Sequence, residues 1–182
     1  MFSMLPNPNV GRRAQLFEVW IRPVVPENGP MALKIALHEL RGLLERGMTP
    51  QQFEDTRNYL MKNVYILTQN QNQQVGYALD SKFYGTEEFS KYMRGALGKL
   101  TADDVNRAMR KHLSGTDLAV VVITKDAEGL RDQLLSKTPS TIKYDAPKPA
   151  ELLAEDQVIG ALDLGLTPDR IKITPVEEVF AR

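Results

Sequence analysis

Cysteine is absent from the 182 residues, which removes disulfides, thiolate nucleophiles and every cysteine-bearing metal site. The compartment stays open, because proteins of oxidising compartments also dispense with thiols. Histidine is nearly as scarce, with only His38 and His112. Long apolar runs are missing too. The longest, Leu118 to Ile123, falls far short of the roughly 20 residues of a membrane-spanning helix. The opening Met1 to Pro6 has neither the basic n-region nor the apolar h-region of a signal peptide and reads as mid-protein sequence. Charge of one sign is not in excess: Lys+Arg and Asp+Glu number 23 each, and the formal net charge is +0. Nucleic acid and anionic membrane both need a clustered positive field, so neither is the expected partner.

What the chain does contain is globular. Hydrophobic residues are 42% and charged residues 25%, which excludes wholesale disorder and fibrous repeats. A chain of this length buries roughly 70% of its unfolded surface as one domain, so it needs no staples.

Local patterning gives a helix-rich α+β expectation. Gln15 to Val24 alternates Phe17, Val19 and Ile21 with Leu16, Trp20 and Arg22, the period of a strand. After Pro23, Pro26 and Pro30 a helical period takes over through Leu33, Ala36, Leu37, Leu40 and Leu44, with Gly47 as its stop. Thr49-Pro50 restarts a helix with Phe53, Leu60, Val64 and Leu67 on one face, running to about Gln69. The tract Thr68 to Gln74 has no apolar face and reads as a turn or an exposed helix end. A second helical block, Gly76 to Gly98, breaks near Tyr84-Gly85-Thr86, and its aromatics Tyr77, Phe83, Tyr84, Phe89 and Tyr92 read as core or contact residues. Thr101 and Asp104 form a capping box opening a helix that should bury Val105, Ala108, Met109 and His112. Leu118 to Ile123 is apolar at consecutive positions, the mark of a central strand covered on both faces. Short helices at Ala127 to Leu135 and Leu152 to Ile159, a polar wrap from Thr138 to Pro149 and a last strand at Arg170 to Thr174 complete the reading. Residues 1–137 form the main domain, and 138–182 are its C-terminal wrap and tail.

No constellation carries chemistry. His38-Glu39 invites H-E-x-x-H, but the position that needs the second histidine is Gly42. The inverted H-x-x-E-H fails at Arg41 and Gly42, and His112 leads only to Leu113, Ser114 and Gly115. His38 therefore reads as a helix-flank residue and His112 as a packed one. Ser81-Lys82 is the only Ser-Lys neighbour, and adjacent helical residues do not face each other. Asp103-Asp104 and Glu87-Glu88 sit at helix starts, where the dipole favours acids, and Glu177-Glu178 is a third acidic pair. No P-loop, dinucleotide fingerprint or EF-hand pattern is present. The residues give no catalytic, cofactor-binding or metal-ligating site.

Two stretches carry a resemblance. Gly47, Thr49, Phe53 and Arg57 fit a G-x-T-x-x-x-[FL]-x-x-x-[RK] pattern, and Leu100, Thr101, Asp104 and Val105 fit [LI]-T-x-x-D-V. In their order and spacing, over Gln15 to Leu135, they resemble the C-terminal, non-zinc-binding half of pitrilysin/insulinase-type zinc metallopeptidases. The resemblance implies a two-layer, helix-rich fold with a mostly antiparallel sheet, the metallopeptidase-like, ferredoxin-related domain, N-terminally truncated here. It also implies a domain inactive on its own that helps enclose unfolded peptide against a companion half, where H-x-x-E-H holds the zinc. No cofactor is then expected in this chain. The family's substrate clamp, an Arg and a Tyr in an R-x-x-x-x-G-L-x-Y-like segment, is not present, so none of its residues is assigned. Expected partners are the zinc-bearing half and peptide substrate. The alternative is a structural or interaction module of the same family without a proteolytic role. A third reading, a hydrolase acting through Ser81 or paired carboxylates, rests on weaker spacing. Relatives of this kind imply a periplasmic rather than a cytoplasmic setting. An incomplete sheet has an unpaired edge, so the isolated chain is expected to self-associate.

Overall fold

Several of the helices form where a 3.6-residue apolar period meets a capping side chain, and two begin directly after a proline. The computed structural model describes residues 7–8 and 17–180. Among them are eight α-helices: α1 (Gly29–Arg46), α2 (Pro50–Leu67), α3 (Gln71–Tyr84), α4 (Phe89–Lys99), α5 (Ala102–His112), α6 (Ala127–Leu135), α7 (Ala150–Gly160) and the single turn α8 (Val176–Val179). Short 3-10 turns occupy Pro26–Asn28 and Pro168–Arg170.

The caps follow the sequence closely. Gly47 takes φ +75°, the left-handed conformation that ends α1. The Thr49 hydroxyl accepts from the Gln52 amide, while the Gln52 side chain accepts from the Thr49 amide, a reciprocal box at the start of α2. Asn70 caps α3, so the amide-rich tract divides into a turn at Thr68 to Asn70 and the first turn of a helix. Gly85, at φ +68°, makes the break between α3 and α4. Thr101 and Asp104 repeat the reciprocal box at α5, and Asp126 accepts from the Gly129 amide at 2.8 Å to open α6.

The expected α+β fold with a mostly antiparallel sheet is overturned, because no strand occurs among the described residues. Residues 17–24 and 118–123 belong to neither helix nor sheet, while Gln15 and Leu16 lie outside the described residues. A period of two, or an unbroken apolar run, records what a strand would bury if a hydrogen-bonding neighbour existed, and it does not supply that neighbour. Arg170 to Thr174 fails for a local reason as well: Pro168 starts a 3-10 turn that takes in Arg170.

The described chain divides into two units. Unit 1 holds Leu43–Leu113. Within it α4 packs against α2 and α3, and Phe53, Asn63, Val64, Tyr77 and Leu97 are buried. Tyr77 stacks on Phe89 with centroids 3.8 Å apart, and the Arg94 guanidinium lies over the Tyr65 ring and donates to its hydroxyl. The other expected core aromatics, Phe83, Tyr84 and Tyr92, are exposed. Helix α5 buries no residue, contrary to expectation: Val105 and Met109 are half-buried, and Ala108 and His112 are exposed. Its charged faces, carrying Asp103, Arg107, Arg110 and Lys111, favour water, and the helix is fixed by its ends and by Asn106.

Unit 2 holds Glu18–Gly42 and the chain from Ser114 onward. Met31, Leu40 and Ile159 are its buried apolar residues, and Lys34 is buried with them. The Lys34 ammonium donates to the Gly160 carbonyl at 2.7 Å, and the Ser140 amide donates to the same oxygen at 3.0 Å. A cation at the C-terminal carbonyls of α7 meets the negative end of the helix dipole, which offsets part of the cost of burying it.

Candidate functional site

Both motif stretches meet in unit 1, and what they build is a joint. The Asn106 side chain accepts from the Met48 amide at 2.8 Å and donates to the Met48 carbonyl at 3.3 Å, tying the turn after Gly47 to the middle of α5. A Cβ at Gly47 would lie 2.8 Å from that same amide group, so glycine is required both for its φ and for the space. Phe53 is buried, and Arg57, one turn on, lays its guanidinium 5.3 Å from the Phe53 ring centroid and pairs with Glu54 at 2.5 Å. The Arg57 Nε is buried with no acceptor among the described residues. Every matched motif residue thus has a helix-ending, capping or packing task. Asn106 had no signal of its own, since its partner lies 58 positions away.

The polar candidates do not converge. His38 is half-buried on α1, and His112 is the exposed last residue of α5. Among the described residues no three His, Asp or Glu side chains are grouped to hold a metal ion. Ser81 is half-buried and Lys82 is exposed at the next helical position; the Ser81 carbonyl closes the end of α3 by accepting from Gly85 and Thr86. The acidic pairs serve helix starts. Glu88 caps α4, its two oxygens accepting from the Ser90 and Lys91 amides at 2.9 Å each. Those backbone donors, Ser90 first, hold its carboxyl below the usual range against the opposing effect of burial. Asp104 is held low by the Thr101 hydroxyl and amide and by Arg107.

One cleft in unit 1 combines aromatic and hydrogen-bonding groups. It encloses about 340 Å³ and is lined by Tyr77 and Phe89, by Ala78, and by Thr68, Gln74, Glu88 and Ser90. The stacked Tyr77-Phe89 pair provides an apolar wall, while the Gln74 amide, donating to the Thr68 carbonyl at 2.8 Å, and the Ser90 hydroxyl form a polar rim. The only carboxylate in it is Glu88, already engaged by two backbone amides. The carboxylate lining the cleft is thus the one that caps α4.

Unit 2 presents a different feature. Leu118, Val120, Val121, Val122 and Ile123 are all exposed, from 42% to 98%, where sequence reasoning placed a strand covered on both faces. The Lys34–Ser140–Gly160 cluster was also not legible in the sequence, because its members are scattered from residue 34 to residue 160 with no motif spacing. Also in unit 2, the Tyr144 hydroxyl donates to Asp156 at 2.8 Å, which with burial pushes the phenol above its ordinary value.

No helix among the described residues is long and apolar enough to cross a membrane. No protein-family model matches the chain, and neither does any curated protein or solved structure.

Proposed function

We propose that the chain is a non-catalytic domain of a zinc metallopeptidase assembly, which holds unfolded peptide against a companion half bearing H-x-x-E-H. The observation that carries this reading is the unit 1 cleft, with its aromatic wall, hydrogen-bonding rim and one carboxylate committed to the α4 cap. Such a surface takes an apolar side chain and a stretch of backbone amide without acting on either. The motif residues that resemble the family agree with a scaffolding part, since they close helices and pack the joint around Met48.

Ala78 is exposed on the cleft lining, so Ala78→Trp fills the cleft without opening the core. Binding of a reduced, carboxymethylated polypeptide, followed by calorimetry, should weaken about tenfold in that variant. Peptide hydrolysis should be absent from the chain alone and become chelator-sensitive when the companion half is added. Unchanged binding by Ala78→Trp removes the cleft from the reading. The second reading, an interaction module without a proteolytic role, is favoured by the exposed apolar run in unit 2. It predicts that the mixture stays inactive.

A further inference from the structure

Nine consecutive residues of unit 2, Asp117 to Lys125, make no backbone hydrogen bond among the described residues. Their centre, Val120 to Ile123, is entirely β-branched, the composition most at home in a pleated sheet. It contains no charge and no proline, the devices that normally protect such a segment from pairing with another chain. The large side chains already face solvent, most of all Val121 at 89% and Ile123 at 98%. A neighbouring strand would cover these side chains and pair the N–H and C=O groups of alternate residues, for which the described residues provide no backbone partner.

The flanking charges name that strand. Asp117 and Lys125 each stand four residues from Val121, with opposite sign, both exposed and neither in an ion pair among the described residues. We infer that Asp117 to Lys125 is a self-pairing strand, through which two copies of this chain associate antiparallel about a two-fold axis at Val121. In that register Asp117 of each copy lies opposite Lys125 of the other, giving two complementary pairs. Leu118 meets Thr124 and Ala119 meets Ile123, so large side chains alternate with smaller ones across the seam. Between the bends at Asp117 and Lys125, Ala119, Val121 and Ile123 alternate onto one face of the segment, the face with the two most exposed side chains. A parallel in-register pair would set Asp117 against Asp117 and Lys125 against Lys125. Sliding the antiparallel axis by half a residue toward Val120 would place both charges opposite threonines, Thr124 and Thr116, and sliding it toward Val122 would set Asp117 against Asp126 and Lys125 against Leu118. Only the Val121-centred register uses both charges.

Charge reversal at the two ends tests this inference, because both positions are exposed and circular dichroism confirms that each variant folds. Sedimentation velocity should show a concentration-dependent dimer of the wild-type chain. Asp117→Lys alone and Lys125→Asp alone each create two like-charge pairs in the homodimer and should raise the dimer Kd about tenfold. An equimolar mixture of the two single variants pairs every cation with an anion and should regain wild-type affinity. The double variant Asp117→Lys/Lys125→Asp should do the same by itself. Val121→Lys, at the axis, should abolish the dimer. A monomeric wild-type chain overturns the inference, as does a dimer indifferent to the single reversals or a mixture that fails to recover. So does amide protection of residues 117–125 that appears only on addition of the companion half, which would assign the segment to that partner.

Discussion

Unit 1 caps most of its helices with side chains no more than four residues away, whereas the buried polar cluster of unit 2 joins residues 126 positions apart. In unit 1 the Thr49–Gln52 and Thr101–Asp104 boxes, the Asn70 and Glu88 caps and the Gly85 stop are all local. Around them sits a core of Phe53, Val64, Tyr77 and Leu97. In unit 2 the Lys34 ammonium reaches Gly160 across 126 positions, and a six-residue apolar run stays uncovered. Local closure makes each helix nearly self-sufficient. Distant closure makes one small cluster responsible for a whole region, and leaves apolar chain in search of a partner.

The largest expected effect strikes that cluster. A Cβ at Gly160 would collide with the Ser140 carbonyl oxygen, so Gly160→Ala must push the 138–142 loop away. The shift loosens the Ser140 amide and the Lys34 ammonium from the Gly160 carbonyl together. Overpacking of this kind costs about 1–3 kcal/mol. Denaturant unfolding should show that loss, and hydrogen exchange should place it in α7 while protection in α2 stays as in wild type. Equal loss of protection in both helices would break the contrast between the units.

A smaller effect is expected at the joint in unit 1. Thr49→Ala deletes the acceptor for the Gln52 amide at the start of α2 and should cost about 1 kcal/mol. Gly47→Ala forces a side chain into φ +75° and against Asn106, so its cost should exceed that of the cap. Thermal unfolding of both variants checks the order. Should Gly47→Ala prove the milder change, the Asn106–Met48 bonds are not what fixes the joint.

This ordering also shows what was legible in the amino-acid pattern. Every α-helix of unit 1 was readable, because Gly47, Thr49, Gly85, Thr101 and Asp104 act on neighbours within one turn. The short helix α6 of unit 2 was readable for the same reason, through Asp126, whereas α7 follows Pro149 without a side-chain cap. The sheet was not: Phe17, Val19, Ile21 and the Leu118 to Ile123 run have strand composition, but pairing depends on a second strand that the described residues do not provide. The cleft was half-readable. Tyr77 and Phe89 stood out by aromatic spacing, whereas the engagement of Glu88 by the α4 amides is set by the helix start, and no count of carboxylates reveals it.

The smallest expected effect is on the acid side of unit 1 and concerns two caps that double as titrating groups. Asp104 has its carboxyl held below 3.8, first by the Thr101 hydroxyl, and Glu88 is held below 4.5, first by the Ser90 amide. A carboxyl whose folded value is depressed binds fewer protons folded than unfolded, so its stabilising contribution is complete above the unfolded value and disappears as pH falls through the folded one. The helices α4 and α5 should therefore lose stability below about pH 4.5, Glu88 beginning the decline and Asp104 continuing it. Asp104→Asn keeps a side-chain oxygen able to accept from the Thr101 amide but cannot titrate. Its acid limb, followed by circular dichroism, should be shallower than that of wild type, with the remaining slope shared by Glu88 and by Asp169, which the Thr167 hydroxyl also holds low. An unchanged limb would mean that these caps hold their helices through geometry alone, and that the charge Asp104 carries there contributes nothing to the contrast between local and distant closure.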